Sequence, residues 1–297
     1  MSYDPVSDRI KGLFPAVLEN VEDIENFLRR QASSNRQHPA SRLSVRVFTG
    51  PGITEAELTT IEVEYRGATI RLEAFFKIDL EDLGGLAYFG GNAPERGVSP
   101  SWEIEAEYAT WRSVRARPIE HKPLLEGYLI EILQNPTPID IADLLDVYRD
   151  AYKDYPTPFN TGSLESMCRN NVVVVARKRD GHIVAVSQGE IADLREINIS
   201  LVELTETASL SSHKGLSTHI KKRLIDELKG PRVIIYAETR CAWGAVQRSN
   251  YVAGMHVFGR LERHCRISSY RQDFQPSHRY LGDLFVFVYD ERFLQAA

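Results

Sequence analysis

The sequence predicts an α/β chain in two parts. Residues 1–120 read as an α+β domain with one long helix and a mainly antiparallel sheet, and 124–297 as a mixed sheet flanked by helices. Three observations carry this. Residues 196–228 read as strand, polar turn and helix: Ile197, Ile199 and Leu201 lead into a β-type run over 202–204, Val202 and Leu204 flanking Glu203. Ser211, Ser212, His213, Lys214 and Gly215 interrupt it, and Ile220, Leu224, Ile225 and Leu228 then recur at helical spacing. On both sides of that unit, strand-like and helix-like runs alternate from 124 to 289. Before 120, a period of two dominates after a single helical stripe.

Composition limits the function classes. The 297 residues suffice for two ordinary domains, and 43% hydrophobic with 26% charged residues is the balance of a globular protein. A formal net charge of -5 argues against a dedicated nucleic-acid binder, which carries a basic face. Cys168, Cys241 and Cys265 are odd in number and widely separated, so neither a disulfide framework nor a zinc spacing is expected, and no metal. Residues 1–14 lack the apolar core of a signal peptide and no run approaches a membrane span, so no membrane association and a cytoplasmic location are the expectations.

In the first part, Leu13, Phe14, Val17, Leu18, Val21, Ile24, Phe27 and Leu28 mark one face of a helix ending near Gln31. Strands are expected at Leu43, Val45 and Val47, at Ile61, Val63 and Tyr65, and at Ile70 and Leu72 with Ala74 and Phe75. The middle pair forms a hairpin across Arg66 and Gly67. Residues 84–100, rich in Gly, Pro and Asn, read as a surface loop. Trp102, Ile104, Ala106 and Tyr108 alternate as a fourth strand running to Val114, its glutamates on a solvated face. Residues 118–123 form the linker.

In the second part, 124–133 is the first strand. Ile141, Leu144, Leu145, Tyr148 and Tyr152 give a helix begun after Pro138. A rigid bend over 155–162 precedes a short helix at 163–169. Residues 172–176 make a buried strand, which Asp180 and Gly181 turn back into 182–191. The 196–228 unit follows. Strands are then expected at 233–238, 255–267 and 281–289, with a helix at 242–253 between the first two.

The segments ELTETASL (203–210) and GLSTHIKKRLIDEL (215–228) resemble the fourth strand, pyrophosphate loop and third helix of the GNAT superfamily of amine acyltransferases. The family's basic or amide residue, glycine and small residue correspond to Ser212, Gly215 and Ser217, so one glycine matches and the first residue departs from the pattern, Lys214 supplying a charge beside it. The order of elements over 124–297 is the family's order. Residues 244–267, with Gly254, Met255, Gly259 and Leu261, and the bend containing Tyr155, Pro156, Thr157, Pro158 and Phe159 resemble the β-lysine N-acetyltransferase branch. Between Leu210 and Gly215 the chain is about two residues shorter than that branch.

The resemblance implies transfer of an acetyl or other acyl group from acyl-CoA to an amine. The donor would lie along Leu204, Thr205, Glu206, Thr207 and Ala208, with its pyrophosphate over Ser212, His213, Lys214, Gly215, Leu216 and Ser217. Backbone N–H groups at a helix start bind phosphate without special side chains. Acylation needs a base for the ammonium proton and an acid for the leaving thiolate. Glu203 and Glu206 are the candidate bases, Glu203 being preferred because it occupies the family's strand-four glutamate. Three residues apart on a strand they point to opposite faces, so at most one faces the acceptor. Tyr251 is the candidate acid, with Ser249 and Asn250 in reserve. Each of these also reads as a salt-bridged carboxylate or a ring packed on the sheet. Tyr155, Phe159 and Asn160 would line the acceptor site, and Glu190 is a further candidate for its wall. Cys241 as a transient acyl carrier and His213 as a catalytic group are weaker readings.

A small amine, most like lysine or β-lysine, is the expected acceptor, and carboxylates such as Asp154 suit a cation. Other readings stay open on sequence alone: a GNAT-like scaffold without catalysis, or a transferase using a long-chain acyl donor or a carrier-protein thioester. Whether an acyl carrier protein or a second copy of the chain is a partner is equally open.

Overall fold

The computed structural model describes residues 2–4, 9–120, 122–152, 155, 158–213, 215–265 and 282–290. In the first half the strands are β1 (Ser2–Asp4), β2 (Arg9–Leu18), β3 (Arg42–Thr49), β4 (Val63–Tyr65), β5 (Ala68–Leu80) and β6 (Leu83–Asn92). The helices are α1 (Val21–Ser34), α2 (Glu55–Leu58) and α3 (Ser101–Arg115). The second half runs β7 (Tyr128–Ile132), α4 (Pro138–Ala151), α5 (Thr161–Asn170), β8 (Val172–Lys178), β9 (Ile183–Leu194), β10 (Ile199–Leu204), β11 (Ala208–Ser209) and α6 (Leu216–Leu228). It closes with β12 (Val233–Arg240), α7 (Gly244–Val252), β13 (Met255–Cys265) and β14 (Gly282–Tyr289). This is the order expected for the second half. The ends of two expected strands, at 266–267 and at Leu281, lie outside the described residues.

Three expectations for the first half are corrected. The stripe from Leu13 to Leu28 is not one helix: its first part is β2 and only Val21 onward is helical. Pro15 explains the break, because it lacks an N–H and disrupts a helix interior. It sits where the parallel β2–β3 ladder is irregular, between Leu13 and Val17. Asn20 then starts α1, its Oδ1 accepting from the Asp23 N–H at 2.9 Å.

Residues 84–92 are not a surface loop, since β6 is buried along nearly its whole length between β3 and β5, while 93–100 is the expected connection, with Val98 72% exposed. Its glycines mark close approach, not a turn: a Cβ at Gly84 would overlap the Gly50 carbonyl, and one at Gly85 the Phe75 ring.

The third correction concerns 102–114, which is α3. Its inward face is Glu103, Glu107, Trp111 and Val114, at spacings of four and three, while Trp102 is 56% exposed. The buried glutamates are paired, Glu107 with Arg260 at 3.1 Å and Glu103 with Arg263 at 3.6 Å. A helical face built on ion-paired glutamates hides from a hydrophobicity count.

Among the described residues the strands form one sheet in the order β1-β2-β3-β6-β5-β13-β14-β12-β10-β9-β8-β7. The two halves meet in it at a single register pair, Gly259 opposite Ala74. A Cβ on Gly259 would overlap that of Ala74, so only glycine allows this approach. The second half is antiparallel except for β10 beside β12.

The pleat sends alternate residues of β8 to opposite faces. Val173 and Val175 pack under α4 and α5, whereas Val174 and Ala176 pack under α6. Trp111 and Val114 of α3 belong to the α6 core too, against Phe285 and Phe287. Further along the α4 side, Leu201, Tyr236 and Val286 are covered by Phe48, Leu86 and Tyr88 of the first half. The first half therefore stands beside α4 over the ends of β10 and β12.

Candidate active site

β10 and β12 run parallel for four residues and then part. Their ladder pairs Ser200 to Glu203 with Val233 to Tyr236 and stops. β12 continues straight to Arg240, held on its other side by β14. The β10 chain instead stays with β9: Leu204 lies opposite Gly189 and Ala208 opposite Val186, so three residues face two in a β-bulge. Thr205 N–H donates to the Gln188 carbonyl at 3.1 Å. Tyr148 of α4 and Tyr152, which follows the helix, donate to the carbonyls of Glu206 (3.4 Å) and Thr207 (2.9 Å), and Thr207 Oγ1 lies 2.8 Å from Ser187 Oγ. These bonds hold the bulge away from β12.

The parting leaves a cavity of about 930 Å³, counting its open mouth. Leu204, Thr205, Glu206 and Thr207 form one wall, and Ala237, Glu238, Thr239 and Arg240 the other. Lys221 enters from α6, Tyr152 and Tyr155 from the end of α4, and Arg9 and Lys11 from β2.

Of the two candidate bases, Glu206 is the one without an ion pair among the described residues. It is 4% exposed, and its Oε2 has no hydrogen-bond partner among the described residues. Burial pushes its carboxyl up to about 7, Thr205 beside it holding it down slightly. Glu203 also lines the cavity but is tied down: Tyr236 donates its hydroxyl to it, and Arg46 and Lys11 lie 3.5 and 3.6 Å away. Glu190, its cross-strand neighbour, is raised by burial and then by the Glu203 charge.

Lys221 carries no signal in any motif. It is 2% exposed, its Nζ donates to Asn250 Oδ1, and Asn250 Nδ2 donates to Thr239 Oγ1 at 2.8 Å. Burial alone lowers its ammonium to about 7. The sequence does hold a trace of it: a lysine between Ile220 and Leu224, inside the apolar stripe of α6, faces the interior by periodicity.

Other candidates fall elsewhere. The Tyr251 ring packs on Trp111 (5.7 Å between centroids) and His256 (5.6 Å), beneath the Arg248 guanidinium, and does not line the cavity. Its neighbour Asn250 bonds the cavity-lining Lys221 and Thr239 instead. Asn160 caps α5, its Oδ1 accepting from the Ser163 N–H at 3.0 Å. Phe159 stacks on Tyr148 at 4.4 Å and lies tilted against Tyr155 at 5.2 Å, shaping the wall without lining the cavity itself. Cys241 is fully buried, with its thiol pushed well above the ordinary range by burial, which makes it inert.

The turn before α6 is partly occupied by the protein itself. Ser211 N–H donates to Asp150 Oδ2 at 2.7 Å, His213 N–H to the Leu210 carbonyl at 2.9 Å, and the His213 ring bonds the Tyr128 hydroxyl at 2.7 Å. Ser212 is exposed, and Lys214 and Asp154 lie outside the described residues. Gly215 starts the helix at φ 89, a left-handed conformation that glycine adopts without strain, and α6 has no side-chain cap. Gly215 and Thr218 at its start line a second cavity together with Arg117, Glu120, Lys122, Lys222 and Arg248, whereas Leu216 and Ser217 do not line it. Arg248 shapes that cavity by donating to the carbonyls of Val114 (3.3 Å), Arg117 (3.0 Å) and Pro118.

No family model matches the chain. None of the curated proteins matches it. Among solved structures it is similar to yncA of Salmonella typhimurium with its cofactor acetyl-CoA, at 16% identity over 55% of this chain and 93% of that one, TM-score 0.42. It is similar as well to a ribosomal-protein-alanine N-acetyltransferase of Brucella melitensis, at 20% identity over 54% of this chain and 98% of that one, TM-score 0.41. A third is a GNAT family acetyltransferase of Elizabethkingia anophelis with acetyl-CoA bound, at 11% identity over 56% and 99%, TM-score 0.39.

The first cavity combines an open strand edge with a carboxyl that burial pushes up, and an ammonium that it pushes down, to about 7, and the start of α6 lines a second cavity with four cations. Such a set can exchange protons at neutral pH and hold an extended, phosphate-bearing molecule.

Proposed function

We propose that the chain transfers an acetyl or other acyl group from acyl-CoA to the amine of a small, amino-acid-like substrate. One observation carries the reading: β10 and β12 part after the Glu203–Tyr236 pair, and the wedge between them holds Glu206 with an unpartnered oxygen. Strands pressed together along their length would leave no room for a donor.

The residues present fit acyl-CoA. The first turn of α6, uncapped by any side chain, and the cations Arg117, Lys122, Lys222 and Arg248 suit its phosphates. The edge at Thr205, Glu206 and Thr207, released from β12, suits an extended amide-bearing arm that pairs with backbone as a strand does. Acyl-CoA bound there supplies the activated acyl carbon.

Glu206 accepts a proton from the ammonium of the acceptor, and a carboxyl near 7 is matched to doing so at neutral pH. Lys221, in place of Tyr251, delivers a proton to the departing thiolate; Asn250, itself fixed by Thr239, orients its Nζ. Tyr155 and the stacked rings of Tyr148, Tyr152 and Phe159 keep water from one side of the cavity.

Incubation with acetyl-CoA and a panel of amino acids, polyamines and peptides should release free thiol. Silence across the panel overturns the reading. If CoA then raises the melting temperature without turnover, the chain is a CoA-binding scaffold. The Asp150 carboxylate on Ser211 favours one variant of the reading, a donor without a nucleotide, because it places negative charge at the turn. Faster transfer from an acylated carrier protein than from acetyl-CoA would select that variant.

A further inference from the structure

Two buried polar atoms of opposite charge in the same cavity lack hydrogen-bond partners among the described residues. One is Glu206 Oε2; the other is Nη1 of Arg9, a residue 6% exposed. Arg9 Nε donates to Asp4 Oδ2 at 2.9 Å. Its Nη1 lies 3.9 Å from Glu238 Oε2, beyond hydrogen-bond reach. Two residues on, and therefore on the same face of β2, Lys11 sits 3.2 Å from Glu238 and 3.6 Å from Glu203.

A guanidinium withdrawn from water with a donor unmatched is unfavourable unless a ligand completes it. An acceptor bearing only an ammonium would satisfy Glu206 and leave Arg9 as it stands. An acceptor bearing an ammonium and a carboxylate would satisfy both. The charges around Arg9 limit the anion: Arg9, Lys11 and Arg46 already face Asp4, Glu190, Glu203 and Glu238, so there is no cationic excess for a doubly charged phosphate, and the open donor of Arg9 suits a single carboxylate.

We propose that the acceptor is a zwitterion, an amine that also carries a carboxylate, and that Arg9, with Lys11 beside it, reads that carboxylate. This rests on the acyl-transfer reading of the cavity and gives the first half of the chain a role in the site. That half builds the acceptor end, while the proton chemistry lies in the second half. A carboxylate bonded to Arg9 Nη1 turns the amine toward Glu206, so the first half selects the substrate and the bulge acts on it.

Calorimetry on the full chain with saturating free CoA, which carries no acyl group, tests this without turnover. The probes are the twenty common amino acids, their amides and their decarboxylated amines. At least one amino acid should bind more tightly than its own amide and amine by about tenfold or more, the effect of one charge-assisted hydrogen bond. Arg9→Met should remove that preference while leaving the amide's affinity within about twofold, and Arg9→Lys should restore part of it. If Arg9→Met does not fold, as its circular dichroism will report, Lys11→Met at the rim carries the same comparison.

No amino acid distinguished from its amide, or an equal loss for both in the variant, overturns the proposal. The two readings fail separately. Carboxylate-dependent binding with no thiol released under acetyl-CoA retains this proposal and rejects acyl transfer. Thiol release at equal rates from amino acids and their amides does the reverse.

Discussion

Glu206 and Lys221 face one cavity, from a strand bulge and from a helix, and burial brings the carboxyl up and the ammonium down to the same value, about 7. A carboxyl raised and an ammonium lowered in one cavity have consequences that can be measured.

Activity should follow a narrow bell in pH. Glu206 must be ionised, so the rate rises as pH passes about 7 from below; Lys221 must be protonated, so it falls as pH passes about 7 from above. The two macroscopic constants belong to the pair if the groups interact. Lys221→Met should remove the alkaline limb while the acidic limb persists, read from kcat against pH.

Glu206→Gln should lower kcat by about 10²–10⁴-fold with little change in the affinity for CoA. Glu203→Gln should behave differently, since Glu203 is bonded by Tyr236 and flanked by Lys11 and Arg46: its loss leaves buried cations uncompensated and lowers the melting temperature. Equal kinetic damage from both substitutions would contradict the assignment of Glu206 as base.

The same groups oppose stability. A buried carboxyl raised from 4.5 to about 7 makes the folded state bind more protons than the unfolded chain between those values, so stability falls as pH rises through that window. An ammonium lowered from 10.5 to about 7 makes the unfolded chain bind more protons above 7, so stability rises again toward 10.5. These two groups put a minimum near neutrality. Lys221→Met should therefore stabilise the protein at pH 7, by roughly 1–3 kcal/mol once the lost bond to Asn250 is subtracted, in denaturant titrations.

At the helix start, Lys222→Glu should raise the KM for acetyl-CoA by about tenfold with kcat nearly unchanged, and added salt should shrink the difference. An unchanged KM would remove the cationic ring from the donor site.

The second half was legible because its helices carry full apolar stripes and its strands are continuous apolar runs, as at Val172–Lys178 and Val233–Arg240. The first half was not, and each misreading has a cause: Pro15 splits an apparent helix, ion-paired Glu103 and Glu107 disguise another, and the glycines of β6 serve packing while looking like a loop. In the site, Glu206 is a candidate from its place on the strand, but Glu203 is preferred there, and the wedge is expected only from the resemblance. The engagement of Glu203 could not be read from the sequence, because Lys11 and Arg46 reach it from far along the chain. Tyr251 and Asn250 differ by one helical step of about 100°, enough to exchange a ring on Trp111 for an amide beside the cavity.

Gly259 and Ala74 hold the two halves at one fixed spacing. The approach of Arg9 to the Glu206 side of the cavity thereby depends in part on a backbone crossing that touches neither of them, alongside the pairs of Lys11 with Glu203 and Glu238. A side chain at position 259 would meet Ala74 and should act like a shim under a hinge, altering acceptor selectivity more than proton transfer.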